Sequence, residues 1–228
     1  LDYGTLSVRA LLLDMDTGEE AGTAVYEYPH GVLTGHLPDG SPIPADYALA
    51  DPADYLQGLG WVVKTLLRER NVPPEAVKGI GLDATSATVI PLDESGNPVA
   101  MLPGFKSRPH AYIKLWKHHG AKKYADTMND TAKSRDEVWL PFFGGTVSCE
   151  AFIPKTLETQ DCDAMVCKQC KTFQEVGDWL VGYMTGTCIR SASMAGCNSF
   201  FRRESGYPDE EFLRAVMPGL EPVTRKYR

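Results

Sequence analysis

Asp2, Gly4 and Thr5 open the chain as a D-x-G-T turn whose residue types suit a phosphate. A glycine lets the backbone turn tightly and come close to an anion. The Gly4 and Thr5 amides and the Thr5 hydroxyl are donors for phosphate oxygens. The Asp2 carboxylate is a hard oxygen ligand of the kind Mg²⁺ takes, directly or through water. An ordinary D-x-G hairpin turn has the same residues, so the tetrapeptide alone leaves both readings open. The strand that should lead into Asp2 is reduced to Leu1, so the N-terminus reads as a trimmed or disordered start.

Other constellations carry less. Cys162, Cys167 and Cys170 make C-x4-C-x2-C, the spacing of three ligands in plant-type iron–sulfur sites, with Cys197 as a candidate fourth. The competing reading is a helix over 163–171 with Cys167 and Cys170 as i,i+3 neighbours. Gly79-x-Gly81-x-x-Ala84 matches a dinucleotide fingerprint in spacing, but its glycines lie inside an expected strand and no helix opens within it. There is no G-x-x-x-x-G-K-[ST] phosphate loop. The adjacent His118 and His119 would point in different directions on any regular element, which suits surface residues at a helix start better than one metal. No Ser-His-Asp or Cys-His spacing supports nucleophilic catalysis.

The 228 residues suffice for one large α/β domain or two small ones, with an ordinary apolar content of 43%. A net charge of −7 lacks the basic stripe that nucleic acid needs, so no nucleic-acid partner is expected. No apolar run reaches the roughly 18 residues of a membrane helix. Six cysteines in a core-rich chain read as free thiols of a reducing cytoplasm.

The elements that must position these residues follow from periodicity. Val8–Asp14 and Gly22–Tyr28 read as a hairpin around a Gly18 turn. The stretch 29–50, rich in Pro, Gly and Asp, reads as a long surface loop. Asp51-Pro52 opens a helix whose apolar stripe is Tyr55, Leu59, Val62, Val63, Leu66 and Leu67, ending near Asn71. Strands are expected at Val77–Leu82 and Thr88–Leu92, the latter turning at 93–97 into Pro98–Met101. Helices are expected at Gly120–Met128, Glu150–Glu158 and Phe173–Met184, with one helical turn at Glu210–Val216 in a tail interrupted by Pro208, Pro218 and Pro222. Strands interleaved with helices after an antiparallel start predict a mixed α/β sheet.

The opening LDYGT-x-SVRALLLD resembles the start of the FGGY carbohydrate kinases, and further segments resemble the ribulokinase branch in the same order. They are Asp51–Leu67, Gly79–Asp93, Leu115–His119, Gly144–Leu157, Gly177–Thr187 and Ala195–Tyr207. The resemblance covers nearly the whole chain. It implies the ribonuclease H-like fold of the actin, hexokinase and sugar-kinase superfamily. It also implies that residues 1–228 are an N-terminal, sugar-binding domain shortened at both ends. The implied activity is transfer of the ATP γ-phosphate to a sugar hydroxyl, with Mg²⁺ and ATP required, a small sugar such as L-ribulose or a related pentulose or polyol as acceptor, and a homodimer possible.

By the same resemblance, Asp2, Gly4 and Thr5 match the loop that meets the Mg-ATP γ-phosphate, with Asp2 towards the metal. Thr85 and Ser86 fall where the family contacts sugar, and Trp116 matches a tryptophan that packs on the polyol. Two positions depart from the pattern. Ribulokinases typically read W-K-D-H where this chain has Trp116-Lys117-His118-His119. They also carry a lysine where this chain has Asn198, which hydrogen-bonds a hydroxyl but supplies no charge. The catalytic base, an aspartate in a Gly-rich turn, is expected after Arg228, and the nucleotide-binding domain with it. These departures leave a second reading open, a non-catalytic sugar-binding or scaffold member of the same superfamily.

Overall fold

Alternation along residues 7–13 puts Val8 and Ala10 on one face and Arg9 and Leu11 on the other, so this segment must be a strand with one buried face. In the computed structural model, which describes residues 1–219, β1 (Asp2–Tyr3), β2 (Ser7–Leu13) and β3 (Glu20–Glu27) form an antiparallel meander. The β2–β3 turn closes at Gly18, whose φ of +74° favours glycine. The chain then runs through β4 (Leu49–Ala50), α1 (Pro52–Glu69), β5 (Asp83–Ala84), β6 (Val89–Leu92) and β7 (Ile113–Lys114). It continues with α2 (Lys122–Ser134), α3 (Phe152–Cys162), α4 (Ala164–Gln169), β8 (Thr172–Glu175), α5 (Val176–Thr185), α6 (Ala192–Asn198) and α7 (Glu210–Val216).

Two four-stranded sheets result. One has the order β3-β2-β1-β5, mixed because β5 lies parallel to β1; the other, β4-β7-β6-β8, is antiparallel. The expected mixed α/β architecture is therefore present. Asp51 caps α1 by accepting the Ala53 amide at 2.9 Å, with Pro52 in the first turn. Tyr55, Val62 and Leu66 bury against the first sheet, where the Tyr55 ring stacks on Tyr3 and Tyr28 at centroid distances of 5.7 and 4.8 Å. Gly58 lets helix and sheet touch: a Cβ there would stand 2.6 Å from Val8 Cγ1. A second apolar cluster, with Phe152, Leu157, Phe173, Trp139 and Phe212, lies between the second sheet and α2, α3 and α7.

Several expectations are corrected. Val77–Leu82 is not a buried strand: residues 79–81 are exposed and the strand is only Asp83–Ala84. Its parallel partner is β1, and Leu1 adds a bond to the Gly81 carbonyl and one from the Asp83 amide. The stretch 29–50 is no mere surface loop, because Leu33, Leu37, Ile43 and Tyr47 are buried in the second cluster. Phe173–Met184 is not one helix: pairing with β6 draws 172–175 into a strand, and the helix starts at Val176. Pro98 makes one bridge to Leu92, after which 99–101 turn into a short 3₁₀ helix. The helix expected over 163–171 is present but shorter: α4 runs Ala164–Gln169 with Asp163 as its cap, so Cys170 lies just beyond it. The tail segment with Pro222 lies outside the described residues.

Candidate functional site

Parallel strands end on the same side, and ligands of open α/β sheets gather at their carboxyl ends. β1 and β5 are such a pair, with Asp2 opposite Asp83 and Tyr3 opposite Ala84. The Thr85 amide extends the ladder to the Tyr3 carbonyl at 3.1 Å. The loop after Tyr3 and the loop after Ala84 are thereby held side by side. In the first loop the Gly4 amide donates to the Ser7 carbonyl at 2.9 Å, and a Cβ on Gly4 would crowd that oxygen at 3.3 Å. In the second, Ala87 sits at φ +55°, an uncommon conformation for a residue with a Cβ.

Next to these loops lies an open cleft of about 560 Å³, lined by Thr85, Ser86, Ala87, Trp116, Phe143, Thr146, Ser148, Glu150, Ala151, Cys197, Asn198 and Phe200. Trp116 follows β7 and is 42% exposed, standing at the cleft rather than inside the core. Its Nε1–H donates to Thr5 Oγ1 at 3.1 Å. With that oxygen accepting, the Thr5 hydroxyl hydrogen is left to donate elsewhere. Asn198 ends α6, and its Nδ2 is buried with no partner among the described residues, so it is a donor at the cleft wall. Glu150 gives the cleft a carboxylate, one oxygen of which meets His119 Nε2 at 3.0 Å.

Four of the sequence-predicted residues, Thr85, Ser86, Trp116 and Asn198, therefore share one cleft, and Thr5 joins them through Trp116. Asp2 does not line it. It faces the open side of the sheet beside Arg9, 3.4 Å away, with both side chains more than half exposed. An exposed carboxylate next to a guanidinium fits a metal–phosphate group, the oxygen for the cation and the guanidinium for the anion. Among the described residues no group of three His, Cys, Asp or Glu side chains is placed to hold a metal ion, so phosphate oxygens and water would complete any Mg²⁺ shell here.

His118 and His119 do point apart, but His118 is not a surface residue. It is fully buried; its Nδ1 accepts from the Ala48 amide and its Nε2–H donates to Glu158 at 2.8 Å. The departure at position 118 therefore lies behind the cleft, in the protein interior. Glu158 also takes Lys114 Nζ at 2.7 Å, whose other two hydrogens go to the Lys155 carbonyl and Thr159 Oγ1. The Lys114 ammonium and the His118 N–H hold the Glu158 carboxyl far below its usual range despite burial, while burial lowers the His118 imidazole. Gly120 makes room for the carboxylate, since a Cβ there would meet Glu158 Oε1.

Thr146, Ser148 and Glu150, which belong to the cleft, were not expected as site residues. Their one signal is a polar, non-periodic run between two helices. Lys114, Lys155 and Glu158 gave a fainter one: charges placed among the apolar positions of β7 and α3.

The fold is that of solved sugar kinases of the actin and hexokinase type. A glycerol kinase from Plasmodium falciparum superposes with a TM-score of 0.70 at 13% identity, covering 94% of this chain and 39% of that one. A xylulose kinase from Rhodospirillum rubrum gives 0.68 at 17% identity, covering 97% and 41%. In sequence the chain is similar to ribulokinases: 40% identical over 225 residues to that of Anoxybacillus flavithermus, covering 98% of this chain. The chain spans about 40% of the length of that relative. No family model matches the sequence. The resemblance to the FGGY carbohydrate kinases, on the ribulokinase side of that family, therefore holds across the chain. No helix among the described residues is long and apolar enough to cross a membrane.

Proposed function

We propose that this chain is the N-terminal, sugar-holding domain of an ATP-dependent pentulose kinase of the cytoplasm, acting on L-ribulose or a related pentulose or polyol. The observation that carries the reading is the convergence of Thr85, Ser86, Trp116 and Asn198 on one cleft, joined to the D-x-G-T turn through the Trp116–Thr5 hydrogen bond. The indole face offers the C–H side of a sugar an apolar platform, with its N–H kept for a polar partner. The Thr85 and Ser86 hydroxyls and the Asn198 amide offer donors and acceptors to its hydroxyls. The Gly4 amide is taken by the Ser7 carbonyl, so the Thr5 hydroxyl is the donor left for the transferring phosphate, and Asp2 with Arg9 would hold the Mg-ATP end. Mg-ATP, when bound, supplies the phosphoryl group and the charge neutralisation that such transfers need. The catalytic base is assigned to an aspartate after Arg228.

Trp116 separates two roles. Trp116→Phe keeps a ring but loses the donor to Thr5, so sugar affinity is expected within about threefold of wild type, while Trp116→Ala is expected to weaken it at least about tenfold, or 1.4 kcal/mol. Calorimetric sugar titrations of the two variants check this. Phosphate transfer from ATP across a panel of pentuloses, hexuloses and polyols tests the function, using the longest natural protein that contains this sequence. A pentulose phosphate is the expected product. The neutral Asn198 favours a second reading, sugar binding without transfer, and binding with no turnover of any acceptor would select it.

A further inference from the structure

The cleft is built from three segments: the loop after β5, the turn after β7 and the N-terminal end of α3. One buried side chain reaches all three. Lys155, on the first turns of α3, is fully buried, and its Nζ donates to the Ala87 carbonyl at 2.6 Å and to the Leu115 carbonyl at 2.8 Å. Ala87 lines the cleft, two residues from Thr85, and Leu115 immediately precedes Trp116. Glu150 and Ala151, at the start of α3, line the cleft as well.

We infer that Lys155 is the positioning residue of this cleft, setting Trp116 against Thr85 and Ser86 by holding the Ala87 and Leu115 carbonyls from one ammonium. The proposal deepens the sugar-site reading and rests on it for its consequence, though not for its geometry.

A fully buried lysine is costly unless its donors are used. Here no carboxylate lies within ion-pair distance of it among the described residues; its partners are carbonyls of two cleft-forming segments. Burial lowers the ammonium to about 7, with Glu175 the charge that most offsets it. Glu175 is also tied to the loop, since its Oε2 accepts the Thr88 amide at 2.9 Å. The Lys155 carbonyl in turn takes Lys114 Nζ at 2.9 Å, so the clamp is anchored in the buried ionic network behind it. Ala87 has a left-handed backbone, a conformation that persists where surrounding bonds over-determine it. An apolar residue at 155 would fill the space but release both carbonyls.

The test compares Lys155→Met, which keeps the stem, with Lys155→Arg, which keeps donors, in the 228-residue chain. The ¹⁵N–¹H resonances of the four tryptophan indoles are read without sugar, with Trp116 assigned from Trp116→Phe. The expected result for Lys155→Met is a displaced Trp116 indole with Trp61 and Trp139 in place, and L-ribulose affinity reduced at least tenfold. Lys155→Arg is expected to bring the affinity back within about threefold of wild type. An unmoved Trp116 indole in Lys155→Met, or equal displacement of all four, would overturn the proposal. Should Lys155→Met not fold, Lys155→Gln carries the test, with a selective shift of Trp116 supporting the clamp and an unmoved Trp116 contradicting it. A selective shift in a protein that binds no L-ribulose even as wild type would sustain the clamp and count against the sugar reading alone.

Discussion

Glu158→Ala is expected to destabilise the protein by about 3–5 kcal/mol, the usual cost of removing one partner from a buried ion pair. Glu158 is 1% exposed and receives both Lys114 and His118. Without it Lys114 keeps a buried charge with only two neutral acceptors, the Lys155 carbonyl and Thr159 Oγ1. His118 loses the acceptor that fixes its tautomer. The effect reaches the cleft, because Lys155, bonded to Lys114 through its carbonyl, is the same residue that holds the Ala87 and Leu115 carbonyls. Urea unfolding measures it as a lowered midpoint at unchanged slope. A loss under about 1 kcal/mol would show that the pair contributes no more than an exposed one.

His110 is expected to withdraw stability as the pH drops from 7 towards 4. His110 is buried against Tyr47, its Nε2 3.2 Å from the Tyr47 hydroxyl, and burial lowers its pKa from 6.5 to about 3. A group depressed in the folded state contributes stability above its unfolded pKa and loses it as the pH falls through the folded one. Here that window runs from 6.5 down to about 3. The His110 share between pH 7 and 4 is roughly 3 kcal/mol, equivalent to roughly 6–12 °C in Tm for a chain of this size. His118 and Glu158, also depressed, act in the same direction. Glu175 acts in the opposite one: its carboxyl is raised to about 8, so its contribution grows as the pH falls from there to 4.5. Comparing the Tm–pH curves of wild type and His110→Gln cancels these shared terms. On acidification the variant should keep more stability than wild type by the His110 share, and parallel curves would refute the assignment.

Long, strongly patterned elements were legible in the sequence. The Asp51 cap, Pro52 and the stripe from Tyr55 to Leu66 define α1, and alternation defines the β2–β3 hairpin. Short elements were not. β1 and β5 have two residues each, too few to show a period, yet their parallel pairing is what places the two loops together. The segment from Thr172 to Thr185 holds no proline to divide it, and its strand and helix halves separate because β6 pairs with the first four residues. The site was legible residue by residue at Thr85, Ser86, Trp116 and Asn198, through ordered resemblance rather than spacing. Lys114, Lys155 and Glu158 were invisible as a group, because a charge in a sequence looks solvated until the fold buries it.

The most direct measurement of the central claim is a calorimetric titration of L-ribulose, D-xylulose, ribitol and glycerol into the chain. It is repeated with Trp116→Ala and Asn198→Ala. The cleft predicts saturable binding of a pentulose that both substitutions weaken. Absence of binding by all four compounds, or binding that neither substitution changes, would contradict it.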